Sequence, residues 1–167
     1  MNPNSKPDLR LHEDTDLFAQ AVSFTASRTA FSAGLIEKDY FCTVLLAHLA
    51  SQNGPHIFKG GTCLAKVYGR FHRLSEDLDF AIPMPLDASR SDRSRRIAET
   101  KKALAHLLKQ LDCFKVVQPL GGANDSSQYV GAVQYVSRLD GQPQKLQLEF
   151  SLREPLLCPS DSAAAAT

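Results

Sequence analysis

The strongest constraint on the fold is a six-residue alternation, Asp77-Leu78-Asp79-Phe80-Ala81-Ile82, halted by Pro83. Period two is the signature of a half-buried strand, so Leu78, Phe80 and Ile82 go to one face and Asp77, Asp79 and Ala81 to the other. A second alternation sets Leu146, Leu148, Phe150 and Leu152 against Gln147, Glu149 and Ser151, and predicts a strand over Lys145–Leu152. The Asp140-Gly141 dipeptide is a hairpin turn into it. Each strand has one apolar face to bury, and the rest of the chain must supply the cover.

Helical spacing supplies it. Leu17, Phe18, Ala21, Val22 and Thr25 predict a helix over Asp14–Arg28, with Gly34 ending that segment. A second helix is expected over Ile36–Ala50, before the breaker Asn53-Gly54-Pro55. His56–Lys59 reads as a short strand running into Gly60-Gly61, followed by about two turns of helix from Thr62 to the stop at Gly69. Ser91–Leu111 suits a long helix with Ile97, Leu104, Leu108 and Leu111 on one face. Strands near Phe114–Gln118 and Gln128–Leu139 follow, separated by a Gly121–Ser127 loop. The order ααβαβαβββ implies a mixed sheet with helices packed on it, an α+β (mixed α/β) domain.

A length of 167 residues supports one such domain. We expect it over residues 11–157, with disordered tails at 1–10 and at the Ala-rich 158–167. Apolar residues at 43% and charged residues at 22% describe a globular chain, and a formal charge of +1 is too small for nucleic-acid binding through bulk charge. Any such contact needs a local patch, and the basic run Arg90, Arg93, Arg95, Arg96, Lys101 and Lys102 offers one, or else a solvated helix face. No apolar run approaches membrane-spanning length, and the polar, Pro-broken start is no secretory signal, so no membrane partner is expected. Cys42, Cys63, Cys113 and Cys158 form no CxxC pair and read as reduced thiols of a cytoplasmic protein.

Chemistry concentrates in Lys59-Gly60-Gly61-Thr62 and Asp77-Leu78-Asp79. A strand passing through two glycines into a helix lets backbone N–H groups approach a phosphate. Lys59 or Lys66 can add charge, and Thr62 a hydroxyl, or Thr62 simply caps the helix of a tight turn. Asp77 and Asp79 share a strand face about 7 Å apart and repel each other unless water or a cation intervenes. Mg²⁺ takes such hard oxygen ligands and completes its shell with water and phosphate oxygens. Glu149, on the polar face of the last strand, supplies a third acid. Three acids on one face of neighbouring strands beside a Gly-Gly turn fit two-metal phosphoryl transfer; an edge strand's solvated outer face is the alternative for the aspartate pair alone.

Gly-Gly-Thr, then Asp-x-Asp followed by an apolar residue, then one acid in a later strand resembles the DNA polymerase β-like nucleotidyltransferase fold. The finer pattern is Ile36-Glu37-Lys38-Asp39-Tyr40, Phe58-Lys59-Gly60-Gly61-Thr62-Cys63-Leu64-Ala65-Lys66 and Arg73-Leu74-Ser75-Glu76-Asp77-Leu78-Asp79-Phe80. It is similar to the AbiEii/MenT group of nucleotidyltransferase toxins, over roughly residues 35–152. The resemblance implies that Asp77 and Asp79 bind Mg²⁺ or Mn²⁺, with Glu149 as the third acid. It implies that Lys59, Gly60, Gly61 and Thr62 hold a nucleoside triphosphate, with Lys66, Arg73, Ser75 and Lys38 in support. It implies an RNA acceptor, notably the tRNA 3′ end, and a cognate antitoxin as partner. Family members of this kind continue into a helical C-terminal region, most of which this chain lacks, so low activity is expected from a compact fold. A small-molecule nucleotidyltransferase of the antibiotic-modifying kind, and a catalytically silent nucleotide- or partner-binding module, are the two other readings.

Overall fold

The computed structural model describes residues 10–51, 54–69, 77–152, 155–156 and 159–163. After a 3-10 turn at Leu11–Glu13 come α1 (Thr15–Arg28), α2 (Ala33–Ser51), β1 (Ile57–Lys59), α3 (Gly60–Tyr68), β2 (Asp77–Ala81), α4 (Arg90–Gln110), β3 (Lys115–Ala123), β4 (Gln128–Val136) and β5 (Pro143–Ser151). The strands form one mixed sheet in the order β1-β2-β5-β4-β3, in which β2 and β5 run parallel and the other neighbours antiparallel. This is the α+β arrangement that the alternation of periods predicts.

Local chemistry sets most boundaries. The Asp14 side chain accepts the Leu17 N–H at 3.0 Å and starts α1. A reciprocal capping box between Ser89 and Asp92 starts α4. Gly69 ends α3 in the left-handed region, at φ 61°. Two glycine readings need correction. Gly34 does not end a helix; it lies in the first turn of α2 with open space around its Cα. Gly121 and Gly122 are not loop but the last part of edge strand β3, whose register against β4 shifts twice. A Cβ on Gly122 would come within 2.9 Å of the Tyr129 ring, so glycine there leaves room for the ring. The true turn is tighter, with Asn124, Asp125 and Ser126 all at positive φ.

The two faces of the sheet divide the work. Leu78, Phe80, Leu146, Leu148 and Phe150 are fully buried on one face. Phe80 stacks on Phe150 at 4.9 Å, and Phe41 of α2 stacks on Tyr135 of β4 at 3.9 Å, which seats α2 on this face. Ile97 and Leu104 bring α4 onto the same face, with the Lys101 ammonium 4.6 Å above the Tyr129 ring. Asp77, Asp79, Gln147 and Glu149 project from the opposite face, where Asp77 and Gln147 are exposed and Asp79 and Glu149 half-buried. No helix among the described residues is long and apolar enough to cross a membrane. Cys42, Cys63 and Cys113 are free thiols, and Cys158 lies outside the described residues.

Candidate active site

Strand register assembles the polar groups in a row. Lys59 of β1 lies opposite Asp79 of β2, and Asp79 lies opposite Glu149 of β5. Neighbouring strands are about 4.8 Å apart and directly paired residues point to the same side, so these three side chains are immediate neighbours. Asp77 sits one pleat further along the same face, opposite Gln147. The adjacency of Asp79 and Glu149 is built from segments 70 positions apart in the chain, by the one parallel pairing in the sheet.

The Gly60-Gly61 turn passes against Asp79 in this row. Gly60 has φ +78°, and a Cβ there would collide with the Asp79 carboxylate and lie 3.1 Å from the Asp79 Cβ. Only glycine allows the backbone to pass so close to that carboxylate. The turn is also the start of α3, whose N-cap, Lys59, offers no side-chain hydrogen bond, and whose first turn carries no acid. The first N–H groups of a helix have no partner within the helix and carry partial positive charge. Donors for an anion thus stand beside two carboxylates that attract a cation.

The carboxylates feel one another. Burial pushes the Asp79 carboxyl above its ordinary range; the Lys59 ammonium opposes this, and the negative charges of Glu149 and Asp77 add to it. Asp79 therefore holds its proton more tightly than an isolated aspartate does, which is the electrostatic condition that a bound cation relieves. Among the described residues, no three His, Cys, Asp or Glu side chains are gathered closely enough to hold an ion as they stand. The donor chemistry nevertheless suits Mg²⁺ or Mn²⁺. Mg²⁺ commonly takes only one or two protein carboxylates and fills its octahedron with water and phosphate oxygens, and Asp79 and Glu149 are such a pair, with Asp77 beside them.

Other predicted residues fall around this row. Thr62 is buried, and its hydroxyl donates to the backbone carbonyl of Asp77 at 2.5 Å, so its side chain ties α3 to β2 while its backbone N–H belongs to the turn. Lys66 is buried too: its ammonium donates to the Asp39 carboxylate at 2.8 Å and to the Thr43 hydroxyl at 2.6 Å. Lys38, on α2, lines a cleft of about 340 Å³ together with Ser32, Glu37, Ser137 and Asp140. Arg73 and Ser75 lie outside the described residues. The basic residues of α4 belong to the other side of the sheet, where Arg93 reaches the Asp125 carbonyl at 3.4 Å and Lys101 covers Tyr129.

Sequence reading missed two features. The Asp39–Lys66 pair spans 27 positions, and its one local sign is Asp39 and Thr43 at i and i+4 on α2. Glu37 is buried and accepts the Arg138 N–H at 2.6 Å, bracing α2 against the β4–β5 turn; a glutamate amid apolar residues in a helix carries no mark of that partner.

A family model described as "Nucleotidyl transferase AbiEii toxin, Type IV TA system" matches residues 44–165. No curated protein matches the chain. Among solved structures, JHP933 from Helicobacter pylori superposes with a TM-score of 0.54 at 21% identity, over 81% of this chain and 53% of that one. A candidate nucleotidyltransferase from H. pylori superposes with a TM-score of 0.52 at 19% identity, over 81% of this chain and 54% of that one. At such identities the likeness is one of fold, and this chain spans about half the length of each.

Proposed function

This chain belongs to the AbiEii nucleotidyltransferase toxin family, and from that premise we propose that it is a metal-dependent nucleotidyltransferase. Its substrate is a nucleoside triphosphate, and its acceptor is a hydroxyl of RNA, the tRNA 3′ end first among them. The observation that carries the reading is the Gly60 backbone passing against the Asp79 carboxylate while Glu149 lies opposite Asp79 in the sheet. Anion-binding amides and cation-binding carboxylates thus meet at one spot, as a metal–triphosphate complex requires.

In this reading the N–H groups of Gly60, Gly61 and Thr62 bind triphosphate oxygens, and Lys59 adds positive charge at the same end of α3. Asp79 and Glu149 would hold Mg²⁺ or Mn²⁺, with Asp77 one pleat away on the same face. Held there, such a cation would supply neutralisation of charge on the transferring phosphoryl group and a lowered proton affinity at the acceptor hydroxyl. The acceptor oxygen attacks the α-phosphorus, a new P–O bond forms, the bond to the bridging oxygen of the β-phosphate breaks, and pyrophosphate leaves. The hydroxyl proton passes to the Glu149 carboxylate, the base nearest Asp79 in the row. A cognate antitoxin is the partner that a type IV toxin–antitoxin family implies.

The test incubates the chain with each α-labelled nucleoside triphosphate, Mg²⁺ and total tRNA, then follows label onto RNA. Label from one nucleotide, lost in Asp79→Asn, is the expected result. Equal label with Asp79→Asn would remove this site from the chemistry, and label on no RNA would turn the reading towards a small-molecule acceptor or a silent module.

A further inference from the structure

Helix α3 carries the Gly60-Gly61 turn, yet apolar packing contributes little to its placement. Its two buried residues are Thr62 and Lys66, both polar, and none of its residues belongs to the hydrophobic core. Its large apolar side chains, Leu64 and Tyr68, are 41% and 64% exposed. Thr62 and Lys66 are four positions apart and so lie on one face of the helix. Beyond its direct continuation from β1, which pairs with β2, the helix is held among the described residues by two directional polar anchors: the Thr62 hydroxyl on the Asp77 carbonyl, and the Lys66 ammonium in the Asp39–Thr43 pocket.

The second anchor is closely built. The Lys66 side chain is 4% exposed and that of Asp39 20%. The Thr43 hydroxyl accepts from Lys66 and donates to the Asp39 carbonyl at 2.9 Å, so its own position is fixed by α2. Cys42, in the same turn of α2, has its thiol pushed up to about 12, first by burial and then by Asp39, with Lys66 and Lys38 opposing and Asp77 adding. The charges of α2, α3 and β2 thus bear on one small region beneath the site. A buried ion pair is weak support for stability, because desolvation offsets most of the attraction, but it can select one geometry among several.

We propose that Asp39 is a positioning residue which, through Lys66, sets the seat of α3 and so holds the Gly60–Gly61 amides over Asp79. Lys66 acts from beneath the nucleotide and does not touch it. The seating of α3 stands on these contacts alone; that the seated turn serves a triphosphate rests on the reading above.

The decisive variant is the double replacement Asp39→Leu with Lys66→Met, since an apolar pair of similar volume is often as stable as the ion pair it replaces. Two quantities are measured in parallel: amide hydrogen exchange at Leu64–Tyr68 relative to the β4–β5 ladder, and the dissociation constants of the four ribonucleoside triphosphates with Mg²⁺. We expect a urea midpoint near that of the wild-type chain, faster exchange confined to α3, and nucleotide affinity weaker on the order of tenfold, since small misplacements of a binding group cost that much or more. Wild-type exchange in α3 alongside restored stability would overturn the proposal, because the pair would then be structural filling. If the double variant does not fold, Thr43→Val removes one acceptor of Lys66 without stranding a charge. It should speed α3 exchange to a smaller degree, and no change at all would again overturn the proposal. If the wild-type chain binds none of the four nucleotides, the nucleotide reading fails while the exchange comparison still decides whether Asp39 seats the helix.

Discussion

Gly60→Ala tests the geometry of the site at one atom. Alanine at φ +78° adopts a conformation that costs L-residues about 1–2 kcal/mol. The new methyl group also meets Asp79: its carbon would lie 3.1 Å from the Asp79 Cβ, with the carboxylate oxygen closer still. Carbon atoms rest comfortably about 3.5–4.0 Å apart, so even after the carboxylate swings away, the turn and strand must separate by roughly 0.4–0.9 Å. A displacement of that size in a group that holds a reacting centre costs on the order of 10²-fold in rate. Gly69→Ala is the matched control, since Gly69 also has positive φ, at +61°, but an added Cβ there meets nothing within 4 Å. Both variants should lose about 1–2 kcal/mol in urea unfolding from backbone strain, with a further loss for Gly60→Ala. Transfer of labelled nucleotide should fall about 10²-fold in Gly60→Ala and stay near wild type in Gly69→Ala. Equal activity in the two variants would refute the claim that the Gly60 backbone and the Asp79 carboxylate form one site.

Three further outcomes follow from the same structure. Asp79 has its proton affinity raised by burial and by its neighbours, so the folded state binds that proton more tightly than the unfolded state does. Its contribution to stability is therefore present at low pH and lost as pH rises through the raised value. Without divalent cation, urea titrations should show this loss above the ordinary aspartate range, and Asp79→Asn should abolish it; a loss that persists in Asp79→Asn would contradict the assignment. Phe41→Ala removes the ring stacked on Tyr135 at 3.9 Å in a fully buried position. It should cost about 3–5 kcal/mol by equilibrium denaturation, and a cost below about 1 kcal/mol would show that α2 is not seated by this stack. Neutralising Arg93, Arg95 and Arg96 together should reduce the slope of RNA affinity against salt by about one unit for each phosphate that these side chains neutralise. Nucleotide affinity should hold, because α4 packs on the face opposite Asp79; an unchanged slope would place the RNA elsewhere.

Much of this site is legible in the sequence because it depends on period and on glycine. Alternation alone puts Asp77 and Asp79 on one face and Leu78 and Phe80 on the other, and Gly60-Gly61 after a short strand marks a close backbone approach. What alternation cannot supply is register. The pairing of Asp79 with Glu149 crosses a helix and two strands, and no local signal states that β2 and β5 run side by side. Long-range polar contacts are hidden for the same reason. Lys66 reads as a cation free to meet phosphate, and only the tertiary fold, which brings α3 within side-chain reach of α2, turns it inward to Asp39. Glycine misleads where the backbone does not use its freedom: Gly34 sits in a helical first turn, and Gly121 and Gly122 extend an edge strand, Gly122 serving there to leave room for the Tyr129 ring.

Where a divalent cation binds is the most direct test of this site. Mn²⁺ added to the isotopically labelled chain broadens the amide resonances nearest to it, and requires no acceptor, antitoxin or turnover. The predicted broadening is centred on Gly60, Gly61, Asp79 and Glu149, spares Ile97 and Leu104 on the far side of the sheet, and is abolished by Asp79→Asn. Broadening centred elsewhere, or undiminished in Asp79→Asn, would contradict a metal–triphosphate site at the Gly60 turn.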